Sequence, residues 1–174
     1  MKRIPILFVL LFFISIISFS QAPPLSADEV LTSARKKAGE ENKNVFLIFH
    51  ASWCGWCHKM DTSMADPSVK KYFTDNYVIE HLVVQESKTK KQLENPGAEA
   101  LMVKYKGEGQ GIPYWLIFDK DGNLLADSRM ANGDNTGCPA KESEVAHFAN
   151  VFKKTSRLKD SELAVIQKRF RRNE

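Results

Sequence analysis

A continuous apolar run, Val45-Phe46-Leu47-Ile48-Phe49, stands just ahead of a cysteine pair, Cys54 and Cys57, and no other segment constrains the fold as tightly. Apolar residues without polar alternation predict a strand buried on both faces, which needs a covering layer on each side. The residues after the pair, through Met60 and Met64, read as a helix. Both cysteines therefore stand where a buried strand gives way to a helix. A sulfur at that junction lies near unpaired N–H groups and the positive end of the helix dipole, which stabilise a thiolate. Cys57 falls about one turn later on the same side. It can attack a mixed disulfide formed on Cys54 and release the reduced partner, or the pair can donate its own disulfide in reverse. Gly55 is read as permitting a tight turn, and Trp53 and Trp56 as flat apolar surface on which an extended peptide rests. Both sulfurs are expected to be open to solvent.

The rest of the chain supplies the covering layers. Ser26 and Glu29 have capping-box spacing ahead of Val30, Leu31, Ala34 and Ala38, which predicts a helix ending near Gly39. Asp66-Pro67 reads as the cap and first turn of a helix through Val69, Tyr72 and Phe73. Residues 77–84 are a second strand and 85–95 a polar surface loop. Asn95-Pro96 opens a helix carrying Leu101, Met102 and Tyr105, which ends near Gly107. Residues 114–118 and 124–127 are strands joined by an Asp119–Asn123 hairpin. After a Gly/Asn/Pro loop at 131–140, Val145, Phe148, Ala149 and Phe152 mark one helix. Leu163, Ile166 and Phe170 mark an amphipathic one, expected to pack on the domain.

Two strands linked by a helix imply parallel neighbours with a right-handed crossover, and the late hairpin adds antiparallel pairing. The expected class is α/β, a mixed sheet of about four to five strands with helices on both faces. The divisions expected are a leader at 1–20, a linker at 21–26, a domain at 27–157 and a C-terminal amphipathic helix at 158–174.

The leader gives the address. Lys2 and Arg3 precede an apolar stretch from Ile4 to Phe19, and Ser18 and Ser20 supply a small-x-small exit before Gln21. This is the pattern of a secretory signal peptide. An uncleaved anchor is the alternative, because the stretch approaches the lower limit for a spanning helix. Either reading exports the domain, to the periplasm or the extracellular face. No other membrane contact is expected. A net charge of +4 offers no clustered basic footprint for nucleic acid. Three cysteines, Cys54, Cys57 and Cys138, are too few for a disulfide scaffold.

Other chemistries use the same residues. Cys54-Gly55-Trp56-Cys57-His58 also fits the attachment signature of a c-type haem, with His58 as one axial ligand and Met60, Met64, Met102 or Met130 as the other. The preceding strand argues against a small helical cytochrome. A structural zinc site wants four ligands, usually two close pairs, and only one pair is present. The pair could also be a structural staple in a binding module. No cofactor and no metal are expected. Cys138 is either an idle loop thiol or one that traps a partner or exchanges with Cys54. His50 reads as structural, and His58 as a wet helix residue placed to tune Cys57.

The segment 45–57 (VFLIFHASWCGWC), together with Gly111-Ile112-Pro113 ahead of a strand and the Asp121-Gly122 hairpin, resembles the thioredoxin superfamily. Cys57-His58-Lys59-Met60 and Asp66-Pro67-Ser68-Val69 are most similar to its exported members with a C-x-x-C-x-x-M signature. The resemblance spans roughly residues 27–153. It implies protein-disulfide exchange with Cys54 attacking and Cys57 resolving, peptide or protein thiol and disulfide substrates, and a separate redox partner. It also implies a cis Pro113 packed on the disulfide, with the backbone of Ile112 pairing to an extended substrate. The substrate-binding set is then Trp53, Gly55, Trp56, Ile112 and Pro113. The W-C-G-x-W/P-C pattern favours the reducing direction. Two positions depart from thioredoxin: Ile48 replaces its buried aspartate, and Thr62 its helix proline, so the helix is expected to be straighter. Glu80 or His81 is the expected substitute acid–base group, and strand alternation lets only one of them face the pair.

Overall fold

The structure, a computed structural model, describes residues 22–174; the leader expected at 1–20 lies outside them. Elements follow in the order α1 (Ala27–Glu41), β1 (Asn44–His50), α2 (Gly55–Met64), α3 (Lys70–Thr74), β2 (Tyr77–Val83), α4 (Ala98–Lys104), β3 (Tyr114–Phe118), β4 (Leu124–Asp127), α5 (Glu142–Thr155) and α6 (Asp160–Phe170). Four strands form one mixed sheet in the order β2-β1-β3-β4. β1 runs parallel to β2 and antiparallel to β3, and β3 pairs antiparallel with β4. This is a thioredoxin-like fold.

Strand alternation splits the core in two. Phe46, Ile48, Trp115 and Ile117 face α2, α3, α5 and α6, where Met60, Phe73, Phe148, Phe152 and Phe170 meet them. Val45, Leu47, Phe49, Leu116 and Phe118 face the small residues Ala34 and Ala38 of α1 and Met102 of α4. β1 is thus apolar on both sides because both of its sides are covered. The first layer is dense in aromatic rings: Phe148 lies 4.3 Å from Phe152 and 4.8 Å from Phe170, centroid to centroid.

Several boundaries differ from those expected, each for a local reason. The capping box of α1 is present, but the helix passes Gly39 and stops at Glu41, where Asn42 takes the left-handed conformation (φ 52°). Asp66-Pro67 forms a turn rather than a helix start. The Asp66 carboxylate accepts from Ser68 N and Oγ, and α3 begins only at Lys70. The 85–95 loop holds a 3₁₀ turn at Lys88–Leu93. Asn95 does not cap α4; its side-chain oxygen accepts from Val83 N, and the helix starts after Gly97 (φ 80°). Gly107 closes that helix through close packing, since a Cβ there would lie 2.5 Å from Met102 Cγ.

α6 is bound to the body by its apolar face and by two ion pairs, Arg169 Nε to Asp66 Oδ2 at 2.6 Å and Asp160 Oδ1 to Lys153 Nζ of α5 at 2.8 Å. Its ring Phe170 is fully buried against Phe73 and Phe148. Phe170→Ala should therefore lower the unfolding free energy by about 3–5 kcal/mol. Denaturant midpoints at constant slope would measure it, and a loss well under 1 kcal/mol would show that α6 is dispensable to the core.

The Asp66 carboxyl is held down to about 2, first by the Ser68 side-chain and backbone donors and then by Arg169. A depressed acid contributes stability above its unfolded pKa and loses it as pH falls through the folded one. Asp66→Asn should accordingly be less stable than the parent at neutral pH, with the gap closing between about pH 4 and pH 2. Melting curves across that range check this; a gap independent of pH would contradict it.

Candidate active site

β1 ends at His50, and a tight turn carries the chain into α2. Cys54 N donates to Ala51 O at 3.0 Å, closing the turn. Cys54 is the N-cap of α2 in extended conformation, and its sulfur accepts from Cys57 N at 3.1 Å. An N-cap acceptor normally is an oxygen that satisfies an orphan N–H; here the sulfur fills that position and feels the helix's positive end. Cys54 and Cys57 are joined as a disulfide with their Cα atoms 5.3 Å apart.

The turn is fastened from beneath by a carboxylate that the sequence reading did not single out. Glu86, 4% exposed, accepts from Ser52 N at 2.5 Å and from Ser52 Oγ at 2.9 Å. Burial would raise its pKa, but the two Ser52 donors together with the Lys90 charge and the Ser87 N–H keep the group below its ordinary value. Next to it, Gln85 adopts φ 54° and its carbonyl accepts from Trp53 Nε1 at 2.8 Å. The signal for Glu86 was absent from sequence because it lies in a polar loop, where a carboxylate ordinarily faces water.

On the other side stands the Ile112–Pro113 peptide, which is cis. The Ile112 carbonyl oxygen is 3.6 Å from Cys54 Sγ, and the Ile112 side chain packs on Ala51, Cys54 and Cys57. Asn135 Nδ2 donates to Pro113 O at 3.0 Å and to Gln110 O at 3.1 Å, holding the turn from the 131–140 loop. A cleft runs from Trp56 past Ile112 and Pro113 to Gly137 and Ala140.

Two expectations change, and one alternative falls. The sulfurs are not open to solvent: Cys54 is 3% and Cys57 1% exposed, because Ile112 and the helix start cover them. The exposed surface belongs to the rim, with Trp53 59% and Trp56 50% exposed. Gly55 meets no special demand, since a Cβ there would touch nothing within 4 Å and its φ is not left-handed. Cys138 is no partner trap. It is buried, accepts from Asn173 Nδ2 at 3.5 Å, and burial pushes its thiol up to about 12. The same Asn173 accepts from Ser63 Oγ and, through its carbonyl, from Lys59 Nζ, so the C-terminal turn is bolted to α2.

His58 is engaged as well, its Nε2 lying 3.0 Å from Ser52 O. The haem reading finds a poor fit: the cysteines are bonded to each other, and Met60, Met64 and Met102 are committed to the two cores. His81 rather than Glu80 points to the α2 side of the sheet, bonding Asp61 Oδ1 at 2.9 Å. It is in register with Ile48 across the β1–β2 pair.

A cysteine pair capping the helix after the central strand, faced by a cis-prolyl turn, defines a thioredoxin-type site. The chain belongs to the family described as the thioredoxin-like domain, whose profile matches residues 31–133. Among curated proteins, none matches the sequence significantly. Of solved structures, a disulphide isomerase from Xylella fastidiosa Temecula1 is similar at 16% identity and TM-score 0.50, covering 88% of this chain and 98% of its own. DsbH oxidoreductase shares 23% identity (TM-score 0.42; 76% and 87% covered). The C-terminal domain of DsbD from Neisseria meningitidis shares 20% (TM-score 0.42; 61% and 84% covered).

Burial of Cys138 has a direct chemical consequence. The native oxidised protein should resist iodoacetamide, and one thiol should become alkylated once denaturant is added. Peptide mapping reads the site; rapid labelling of Cys138 in the folded protein would contradict the buried assignment.

Proposed function

We propose that this protein is an exported thiol–disulfide oxidoreductase that reduces protein or peptide disulfides. The observation that carries the reading is Cys54 Sγ, disulfide-bonded to Cys57, at a helix N-cap 3.6 Å from the Ile112 carbonyl. In the reduced pair, Cys54 thiolate attacks a substrate disulfide and one substrate sulfur leaves as thiolate. Cys57 then attacks Cys54 Sγ, the mixed disulfide breaks, and the second substrate sulfur leaves. Two electrons pass to the substrate, and the pair returns to the oxidised form seen here.

The rim and cleft suit an extended substrate. Ile112 makes no backbone–backbone hydrogen bond among the described residues, which leaves its polar groups free for strand-like pairing. Trp56 borders the same cleft as Ile112 and Pro113, and Trp53 and Gly55 flank Cys54 along the chain as the rest of the proposed substrate-binding set. Because the sulfurs are covered, the substrate must press between Trp56 and Ile112 to reach Cys54. A separate thiol donor recharges the pair.

Export rests on the residue 1–20 pattern, cleaved before Gln21. No helix of the described residues is long and apolar enough to cross a membrane. The C-x-x-C-x-x-M pattern, Cys54 to Met60, supports a likeness to exported thioredoxin-like proteins, and the Trp53–Cys57 pattern favours the reducing direction. The test is a pair of substitutions assayed on a disulfide-bonded protein substrate. Cys54→Ser should abolish reduction to background, and Cys57→Ser should accumulate mixed disulfides visible on non-reducing gels. Full activity in Cys54→Ser would overturn the reading.

A further inference from the structure

Resolution poses a proton problem. Cys57 is 1% exposed, and an uncharged thiol must lose its proton before its sulfur can attack. Burial disfavours the thiolate, and water reaches the site poorly. A nearby base would remove the difficulty, and Ile48, on the α2 side of the sheet, is apolar and packed in the core.

The face of the sheet under α2 holds an unexplained group. His50, the last residue of β1, has its Nδ1 buried with no hydrogen-bond partner. Buried polar atoms are almost always paired, so an orphan ring nitrogen calls for a function. Its ring stands 4.9 Å from that of His81, and His81 is fixed by Asp61 of α2. Asp61 and Cys57 are four residues apart on that helix, hence on one face. His81 is level with Ile48, and His50 lies two residues further toward the end of β1. α2 runs back along the sheet from that end. Stepping one turn from Asp61 to Cys57 and two residues from Ile48 to His50 therefore moves in the same direction. Both steps lead toward the end of β1, where Ala51, next to His50, touches Cys57.

We propose that His50 is the base that takes the Cys57 proton during resolution, with His81 and Asp61 as positioning residues. This rests on the oxidoreductase reading. The proton passes from Cys57 Sγ to the His50 ring. The Cys57 sulfur bonds to Cys54 Sγ, the Cys54–substrate bond breaks, and the leaving substrate sulfur collects a proton from His50 or water. No further reactant is needed.

The charged surroundings suit the role. Burial first, then His81 on β2, lowers the His50 pKa; Asp61 raises it, His58 lowers it, and Glu86 raises it, with a net shift below the ordinary imidazole value. The ring is then neutral, and able to accept, at neutral pH. His, Cys, Asp and Glu side chains of the described residues form no group of three arranged to hold a metal ion, so the trio is not read as a ligand set.

Stopped-flow reaction of the reduced protein with dithiobis(nitrobenzoate) separates the steps. The first thionitrobenzoate is released when Cys54 attacks, the second when Cys57 resolves. In His50→Gln the first phase should stay within about twofold. The second should slow roughly a hundredfold near neutral pH, the lower range for a positioned base. The deficit should shrink only at pH well above the free-thiol value of about 8.5, where the buried Cys57 thiol ionises unaided. Asp61→Asn, on the partly exposed face of α2, should slow only the second phase, by about tenfold. It serves as the second variant should His50→Gln fail to fold. A second phase unchanged in either folded variant at every pH overturns the proposal. A parent protein that releases no first equivalent overturns the oxidoreductase reading instead.

Discussion

The structure depends on one sulfur doing two jobs. Cys54 accepts the Cys57 N–H as the cap of α2 and is bonded to the Cys57 sulfur. The helix that begins there is therefore organised around the atom that reacts. Everything near it keeps strand end, helix start and prolyl turn in one relation. Glu86 holds the turn through Ser52, Asn135 holds the Ile112–Pro113 segment, and Asn173 ties the C-terminal turn to Ser63 and Lys59 of α2. Three polar residues from separate segments thus brace a disulfide that itself packs on apolar Ala51 and Ile112.

The division of labour between core and site follows from loop length. A bridge across residues three apart closes a very short loop. Such a bridge removes little entropy from the unfolded chain, so it contributes modestly to stability. The two aromatic and aliphatic cores carry the fold instead. The disulfide can be opened and closed without dismantling the molecule, which is what a redox pair requires and a staple does not.

Periodicity exposed most of the fold. The unbroken apolar run of β1 and the hairpin at Asp119–Asn123 depend on contacts near in sequence, and both stand where expected. The pair and its prolyl partner were legible because chemistry demands particular residue types there. What escaped were long-range polar contacts. Nothing local marks Glu86 as buried beneath Ser52, or Asn173 as the partner of Cys138, because each acquires its role from a segment far along the chain. Capping positions misled for a related reason: Asp66 and Asn95 are good caps in isolation, yet their side chains are used by Ser68 and Arg169 and by Val83. Cys138 looked like an accessible loop thiol until α6 and the last turn closed over it.

Equilibrium titration of the Cys54–Cys57 couple against glutathione or dithiothreitol tests the central claim most directly. A working exchange pair should show a single two-electron transition between about −120 and −270 mV, toward the lower value for a reductant. A couple that stays oxidised until below about −300 mV would behave as a structural disulfide and contradict the account.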